Sequence, residues 1–360
     1  MSEVSGPLTG LKVVEFAGIG PGPHVAMLLA DLGAQVVRIE RPGTRVVNEV
    51  VERARHRATM DVKSEDGKAF CLDALQAADV LIEGFRPGVM ERLGFGPDQM
   101  LALNPRLIYA RMTGWGQDGP LAQAAGHDIN YIAITGALAA VGREGDTAVP
   151  PQNLVGDFGG GSMYCAFGIL AALLERERSG QGQLVDAAIV DGATSLMSFF
   201  FGVRHLSHLS TERGKGMLGG AAHFYRCYEC ADGREISVGA IEPQFYAELL
   251  ERIEAPAELR HGQMDPANWE HYTARLAALF KTKPAAEWAE LLEGSDACFG
   301  PVLSLEEVRE HPHMQARGAY IEQDGTWHTA PAPRFSRTPG AVRASATDGV
   351  DVVERWKAEG

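Results

Sequence analysis

Hydrophobic residues in the first half of the chain recur in short runs, separated by longer stretches with helical periodicity. The strand-like runs are Val13–Phe16, Val36–Ile39, Val80–Glu83 and Leu107–Ala110. Helices are predicted at about 24–32 and 162–177, and Gln183–Val185 follows the second one as a further strand. Strands that alternate with helices indicate βαβ units. The pattern therefore predicts an α/β fold, with a large Rossmann-like domain built on a helix-covered parallel sheet.

The pattern changes after residue 190. An apolar helix is predicted over 193–203, and a polar stretch follows it. The runs 224–228 and 235–238 are joined by Ala231-Asp232-Gly233 and predict a hairpin, because Asp-Gly favours tight turns. Glu242-Pro243 then opens a helix through Leu250, with proline where its missing N–H costs nothing. These elements indicate a second, smaller α+β domain.

Domain limits follow from these elements. The large domain is predicted over 1–200, completed by 331–360, and the small domain over 221–315. The stretches 201–220 and 316–330 are predicted linkers. Ser304 and Glu307 have the spacing of a capping box, which predicts a short helix there. A final helix is predicted over 350–357.

Composition restricts the class of protein. The chain has 360 residues, of which 45% are hydrophobic and 22% charged, which is typical of a globular protein with a sizeable core. A net charge of −14 argues against a surface for nucleic acid or anionic membrane. No uninterrupted apolar run reaches transmembrane length, and no secretory or peroxisomal signal is recognisable. We therefore expect a cytoplasmic protein with neither nucleic acid nor membrane as partner.

Two motifs resemble metal or cofactor sites but fit poorly. Cys227 and Cys230 have C-x-x-C spacing, yet no second pair would complete four zinc ligands, and five scattered cysteines suggest free thiols. The run Gly18–Pro23 has G-x-G-x-G rather than G-x-G-x-x-G spacing, and its two prolines lack N–H groups that a pyrophosphate would need. Neither a metal nor NAD is expected.

A histidine and an aspartate are the most distinctive candidates for chemistry. His127 lies in Gly-His-Asp-Ile-Asn-Tyr at 126–131, and Asp157 lies in Asn-Leu-Val-Gly-Asp-Phe at 153–158. Each is preceded by glycine and followed by a helix-like run. From the pattern alone, His127 could be a core histidine and Asp157 a helix cap. Alternatively, they form an acid–base pair that approaches one substrate from opposite sides.

Long stretches of the chain, in the same order, resemble the class III CoA-transferase family and, within it, the α-methylacyl-CoA racemases. The most specific stretches are G-H-D-I-N-Y at 126–131, N-L-V-G-D-F-G-G-G at 153–161 and G-A-I-E-P-Q-F-Y at 239–246, with others at 38–42, 86–89 and 108–117. The resemblance implies an acyl-CoA thioester substrate and no separate cofactor, since CoA is part of that substrate. It also implies an interlocked homodimer with shared active sites.

The resemblance assigns roles to individual residues. His127 and Asp157 become the two acid–base residues, and Glu242 supports the histidine of the partner subunit. CoA and substrate binding are implied for Arg41, Thr59, Met60, Asp61, Val62, Arg86, Arg92, Gly126, Asp128, Ile129, Asn130, Tyr131 and Asn153. Arg41 and Arg86 directly follow strands, where folds of this class bind ligands. Arginine also pairs well with phosphate.

Three functions remain open at this level. The first is racemisation of 2-methylacyl-CoA thioesters by proton transfer through an enolate, with the enolate bound by backbone N–H groups after Asp157. The second is CoA transfer between carboxylic acids through an anhydride at Asp157. The third is acyl-CoA binding without catalysis. The segment 213–225 departs from the family pattern, notably at His223, and is expected to line the acyl end of the site.

Overall fold

The computed structural model describes residues 6–344 and 348–359. Its strands are β1 (Lys12–Phe16), β2 (Gln35–Glu40), β3 (Arg55–Thr59), β4 (Val80–Glu83), β5 (Ile108–Thr113), β6 (Gln183–Ala188), β7 (Tyr225–Glu229), β8 (Glu235–Gly239), β9 (Phe299–Pro301), β10 (Tyr320–Gln323) and β11 (Thr326–Thr329).

The α-helices are α1 (Pro21–Asp31), α2 (Glu65–Ala77), α3 (Val89–Leu93), α4 (Pro97–Leu103), α5 (Asp128–Ala133), α6 (Ala137–Ala140), α7 (Met163–Ser179), α8 (Ile189–Leu196), α9 (Ser198–Val203), α10 (Pro243–Arg252), α11 (Pro266–Phe280), α12 (Ala285–Leu292), α13 (Pro312–Ala316) and α14 (Gly349–Glu359). A π-helix, Leu154–Ser162, leads directly into α7. Short 3-10 helices lie at Ser207–Leu209, Met217–Gly219 and Ala257–Arg260.

The chain divides into two compact units. The first comprises Met1–Thr135, Gln152–Leu196 and Pro312–Gly360, and the second comprises Gly136–Pro151 and Met197–His311. The predicted linker 201–220 falls inside the second unit, where Leu209 and Met217 join the core. The predicted linker 316–330 contains the antiparallel hairpin β10–β11. Both segments therefore contain folded structure. The exact limits of the two domains remain a prediction.

A six-stranded parallel sheet forms the centre of the first unit, in the order β3-β2-β1-β4-β5-β6. Apolar residues of α1 and α7 pack on one face, and those of α2 and α14 pack on the other. The α/β fold and its helix-covered parallel sheet are thus confirmed. The strand order reverses between β1 and β4, and folds of this class bind ligands at the carboxyl edge of such a switch point.

One strand of this sheet was not predicted, because its sequence lacks the hydrophobic pattern of the other strands. β3 reads Arg-His-Arg-Ala-Thr and nevertheless lies beside β2. Its charged residues are paired inside the fold, because Arg55 Nε lies 2.8 Å from Glu15 and Arg57 lies 2.7 Å from Glu40. Buried arginine is tolerated when a carboxylate and further acceptors surround it.

The second unit is α+β, with the antiparallel sheet β7-β8-β9 and the helices α10, α11 and α12. Aromatic residues fill its core, among them Phe224, Tyr246, Trp269, Phe280 and Trp288. The hairpin at 224–238 and the helix that starts after Glu242 are confirmed.

Two local predictions need correction. The helix expected over 193–203 is interrupted at Met197, where α8 ends and α9 begins. Ser304 N donates to Glu307 Oε2 at 2.9 Å, which is half of the expected capping box, but residues 305–310 form turns rather than a helix. The Ser/Glu spacing therefore predicted the hydrogen bond correctly but not the helix.

One helical stretch in the described part of the chain is long and apolar enough to span a membrane by length and composition alone. It covers Leu154–Ser179, 26 residues with a mean hydropathy of 1.3. Cys165 and Ile169 in this stretch are fully buried in the core of the first unit. The same stretch carries Asp157, and its face with Cys165 and Ile169 packs on the sheet while the opposite face is exposed.

Candidate active site

Two adjoining cavities lie at the carboxyl edge of the sheet, around the loops that follow β1 and β4. The histidine cavity, about 480 Å³, is lined by His127, Asp157, Arg86, Tyr131 and Glu83 among others. The arginine cavity, about 510 Å³, is lined by Arg38, Arg41, Arg45 and Lys63 among others. They share the walls Phe16, Gly18, Ile19, Gly20, Pro23 and Phe85. The site therefore straddles the switch point between β1 and β4.

The histidine cavity brings together the two predicted acid–base residues. His127 is exposed and forms the N-cap of α5, where its backbone N–H donates to Asn130 Oδ1 at 3.1 Å. Asp157 is half-buried and lies in the first turn of the π-helix. The histidine is near enough to act on the pKa of Asp157 through its charge. Two titratable groups thus line the same cavity.

Tyr131 fixes the backbone ahead of His127. Its hydroxyl donates to the carbonyl oxygen of Gly126, and its ring packs edge-on against Trp115 at 4.8 Å. A Cβ at Gly126 would lie 2.7 Å from the tyrosine ring, and one at Gly114 would lie 2.1 Å from it. Glycine is required at both positions because the ring occupies the space of a side chain.

The π-helix changes the expected role of the backbone around Asp157. The helix begins at Leu154, and Phe158 N donates to Asn153 O at 3.2 Å. The N–H groups that have no acceptor within the helix therefore belong to residues up to Asp157, not to residues after it. The expectation that groups after Asp157 bind an enolate is wrong, because those groups lie inside the helix.

Asp128 holds the backbone of Asp157 through a hydrogen bond. The Asp157 N–H donates to Asp128 Oδ2 at 2.6 Å, and Asp128 is buried. A Cβ at Gly156 would lie 2.3 Å from the same oxygen, so glycine is needed for this approach. Burial raises the pKa of Asp157, and the Asp128 carboxylate raises it further. A hydrogen bond from Asn153 and the charge of His127 oppose this shift without reversing it.

The predicted CoA-binding residues are distributed over the two cavities and their surroundings. Arg41, Asp61, Val62 and Asn153 line the arginine cavity. Residues that line neither cavity are Thr59, Met60, Arg92, Asp128, Ile129 and Asn130. Arg92 is exposed on α3, and Met60 packs against the core.

Arg38, Arg45 and Lys63 line the arginine cavity without having been predicted to do so. Arg38 is buried and forms an ion pair with Glu15. The signal in the sequence was an arginine in the middle of an apolar strand, which must be paired or functional. Arg45 and Lys63 lie in loops after β2 and β3, where the sequence pattern gives no comparable signal.

Other predicted positions lie in the second unit. Glu242 is exposed at the N-cap of α10 and makes no side-chain capping bond. His223 was expected to line the acyl end of the site, but it is fully buried, with Nε2 at 2.7 Å from the Tyr246 hydroxyl. Cys227 is exposed; partial desolvation and the nearby charge of Glu235 raise the pKa of its thiol. Among the described residues no group of three or more metal-binding side chains is found.

Comparisons with known proteins identify the family of this chain. Residues 8–349 match CoA-transferase family III. The chain therefore belongs to CoA-transferase family III. It is 44% identical over 345 residues to the alpha-methylacyl-CoA racemase of Mus musculus, covering 95% of this chain and 90% of the mouse protein. It is also 44% identical over 335 residues to the human alpha-methylacyl-CoA racemase, covering 92% and 87%.

A solved structure shares the architecture. The crystal structure of a CaiB/BaiF family protein from Brucella suis superposes with a TM-score of 0.84 at 26% identity, over 99% of both chains. The fold of the described residues is therefore that of this family.

Proposed function

We propose that the protein interconverts the two C2 epimers of 2-methylacyl-CoA thioesters. The observation that carries this proposal is the shared cavity of His127 and Asp157 at the switch point of the sheet. The identity of 44% to two racemases supports it. The decisive experiment is incubation of a single epimer in deuterated water, in which the opposite epimer should appear with deuterium at C2.

His127 and Asp157 divide the proton transfers between them. One removes the α-proton from one face of C2, and the conjugate acid of the other returns a proton to the opposite face. A single base would tend to return the proton to its original side. The raised pKa of Asp157 favours this exchange, because a carboxyl with a higher pKa holds a proton more readily in its acidic role. The proton transfers proceed without a further cofactor or metal.

The N-terminus of α1 supplies a site for the developing enolate charge. Gly20, Pro21, Gly22 and Pro23 line the histidine cavity, and α1 begins at Pro21. Prolines carry no N–H, so the Gly22 N–H is the donor that this first turn offers. A helix N-terminus stabilises negative charge, and the oxygen of an enolate carries such a charge.

The CoA part of the substrate is proposed to lie across both cavities. The cationic side chains Arg41, Arg45 and Lys63 line the arginine cavity, where phosphate groups would pair with them. Because the two cavities adjoin, one extended ligand would reach from these cations to His127. A cytoplasmic location is part of the same proposal.

We further propose that two chains form a homodimer in which Glu242 of one chain supports His127 of the other. Met163, Phe167, Leu170 and Leu174 recur at helical spacing along α7 and are exposed. Such a contiguous apolar stripe is typical of a surface that another protein covers. Glu242 is exposed and available to accept a hydrogen bond from an imidazole.

CoA transfer is the alternative function, and the family name favours it. In that case Asp157 attacks the thioester and forms an anhydride, and His127 is not needed as an opposing base. The same incubation separates the two functions, because transfer requires an acceptor acid and leaves C2 unchanged.

A further inference from the structure

Glu83 is a buried carboxylate in the wall of the histidine cavity. It ends β4 at the switch point and is 2% exposed. Its Oε2 accepts a hydrogen bond from the backbone N–H of Phe85 at 2.8 Å. Its Oε1 lies 3.3 Å from Arg111 Nε on the neighbouring strand β5. A charge this deep in the fold must be compensated, and Arg111 with the Phe85 N–H does so.

The Phe85 hydrogen bond fixes the loop that follows β4. Gly84, Phe85, Arg86 and Pro87 all line the histidine cavity, and Phe85 lines the arginine cavity as well. A change in the path of this loop would therefore alter both halves of the site. Glu83 controls that path from its starting point.

Arg111 extends the contact to the loop that follows β5. Its Nη1 donates to Gln117 Oε1 at 2.7 Å, and Gln117 N donates to Asp186 Oδ2 at 3.2 Å. The same loop carries Trp115, which packs against Tyr131 beside the His127 turn. One chain of contacts thus connects the loops after β4 and β5.

We propose that Glu83 is a positioning residue, whose ionised carboxylate holds the loop after β4 in the shape that binds the acyl-CoA. This proposal rests on the proposed function for the identity of the substrate. The residue acts through Phe85 and Arg111 rather than by contact with the reacting carbon.

The proposal predicts a pH dependence of binding. Burial raises the pKa of Glu83 to about 7, with Glu91 and Asp186 acting in the same direction and Arg111 and the Phe85 N–H opposing. The groups that face it are Arg111 and Tyr109 from β5, Glu91 from α3 and Asp186 from β6, while His127, Asp157 and Arg86 share its cavity. Below pH 7 the carboxyl becomes neutral, and its ion pair with Arg111 is lost.

The test is the dissociation constant of a 2-methylacyl-CoA, measured by calorimetry between pH 6 and pH 8. If only the ionised form binds, the wild-type dissociation constant rises about tenfold as the pH falls from 8 to 6, because the ionised fraction of Glu83 falls about tenfold. Glu83→Gln keeps an acceptor for the Phe85 N–H but cannot ionise. We expect its dissociation constant at pH 8 to be at least about tenfold higher than that of the wild type, and to vary less with pH.

Glu91→Gln is the matched control, because it removes another carboxylate that contacts Arg111 and leaves Glu83 in place. Its binding should still titrate, with a midpoint at lower pH, since the charge of Glu91 raises the pKa of Glu83. Glu83→Asp serves where Glu83→Gln does not fold, and should retain the titration with weaker binding.

A Glu83→Gln variant whose binding follows the wild-type pH curve would overturn the proposal. So would a folded Glu83→Asp variant without any titration of binding. Because the ligand is supplied as an equal mixture of both epimers, racemisation does not change its composition and these outcomes are independent of turnover. A protein that transfers CoA instead would fail the proposed function and still test the role of Glu83.

Discussion

Asp128 Oδ2 accepts a hydrogen bond of 2.6 Å from the backbone N–H of Asp157, and this bond joins the two motifs of the site. Asp128 follows His127 directly, at the start of α5, and Asp157 lies in the π-helix. The positions of His127 and Asp157 are therefore set together, and the same carboxylate raises the pKa of Asp157.

The first prediction concerns this charge. Asp128→Asn keeps an oxygen for the Asp157 N–H but removes the negative charge that raises the pKa of Asp157. The pKa of Asp157 should fall, so the acidic limb of the kcat profile in the direction where Asp157 is the base should move to lower pH. Profiles in both substrate directions measure this. An acidic limb that moves to higher pH would contradict it.

Asp128→Ala is the companion variant and should do more damage. It leaves the Asp157 N–H without this acceptor, which typically costs about 1–3 kcal/mol when the group is buried. We expect lower stability in urea unfolding as well as lower kcat. If Asp128→Ala matched Asp128→Asn in both, the hydrogen bond would have no structural role.

The second prediction separates the two acid–base residues. His127→Ala and Asp157→Ala should each lose racemisation by on the order of a hundred- to ten-thousand-fold, the usual effect of a positioned acid or base. Each variant should still exchange the α-proton slowly at the face that its remaining base serves. The two variants should therefore label opposite epimers in deuterated water. Near-normal turnover in either one would remove that residue from the mechanism.

The third prediction concerns the core of the second unit. Burial lowers the pKa of His223 from 6.5 to about 4, so the unfolded chain binds a proton that the folded chain does not. Stability should fall as pH drops from about 6.5 towards 4, with a slope of up to about 1.4 kcal/mol per pH unit from this group. His223→Phe should remove that part of the slope, whatever its stability at pH 7.

Urea unfolding at several pH values gives the comparison. His24 is half-buried and also has a pKa lowered to about 4, but it contributes equally to both proteins, so the difference isolates His223. Parallel curves for wild type and His223→Phe would show that His223 titrates normally.

The fourth prediction tests the shared site. His127→Ala and Glu242→Ala, each inactive, are unfolded together and refolded as mixed dimers. If Glu242 supports the partner's histidine, one site of each mixed dimer carries both lesions and the other carries neither. Activity should then approach half of wild type within the mixed dimers.

Two measurements make this test conclusive. Glu242→Ala must first be shown to be inactive by itself, and mixed dimers must be isolated with two different tags. Verified mixed dimers without activity would mean that each Glu242 serves the histidine of its own chain.

Local hydrophobic pattern was sufficient for most of the sheet, since β1, β2, β4 and β5 are apolar runs between turns. It failed for β3, whose arginines are stabilised by carboxylates on β1 and β2. Pairing of this kind depends on residues that are distant in sequence, and a local pattern does not contain it.

For the site, too, the sequence predicted some features and not others. The glycine-flanked motifs of His127 and Asp157 were visible in the sequence, but their common cavity was not implied by spacing. The π-helix was missed because Asp-Phe-Gly-Gly-Gly is typical of a loop. Its glycines instead permit close packing, since a Cβ at Gly160 would lie 2.6 Å from the backbone of Ala193 in α8.

The central claim is that C2 of an acyl-CoA is inverted through two opposed bases. The most direct test is incubation of one epimer of a 2-methylacyl-CoA in deuterated water, with and without an acceptor carboxylic acid. We predict that the opposite epimer appears with deuterium at C2, with no added cofactor and at a rate that the acceptor does not change. Retention of configuration without deuterium, together with transfer of CoA to the acceptor, would contradict the account and establish CoA transfer instead.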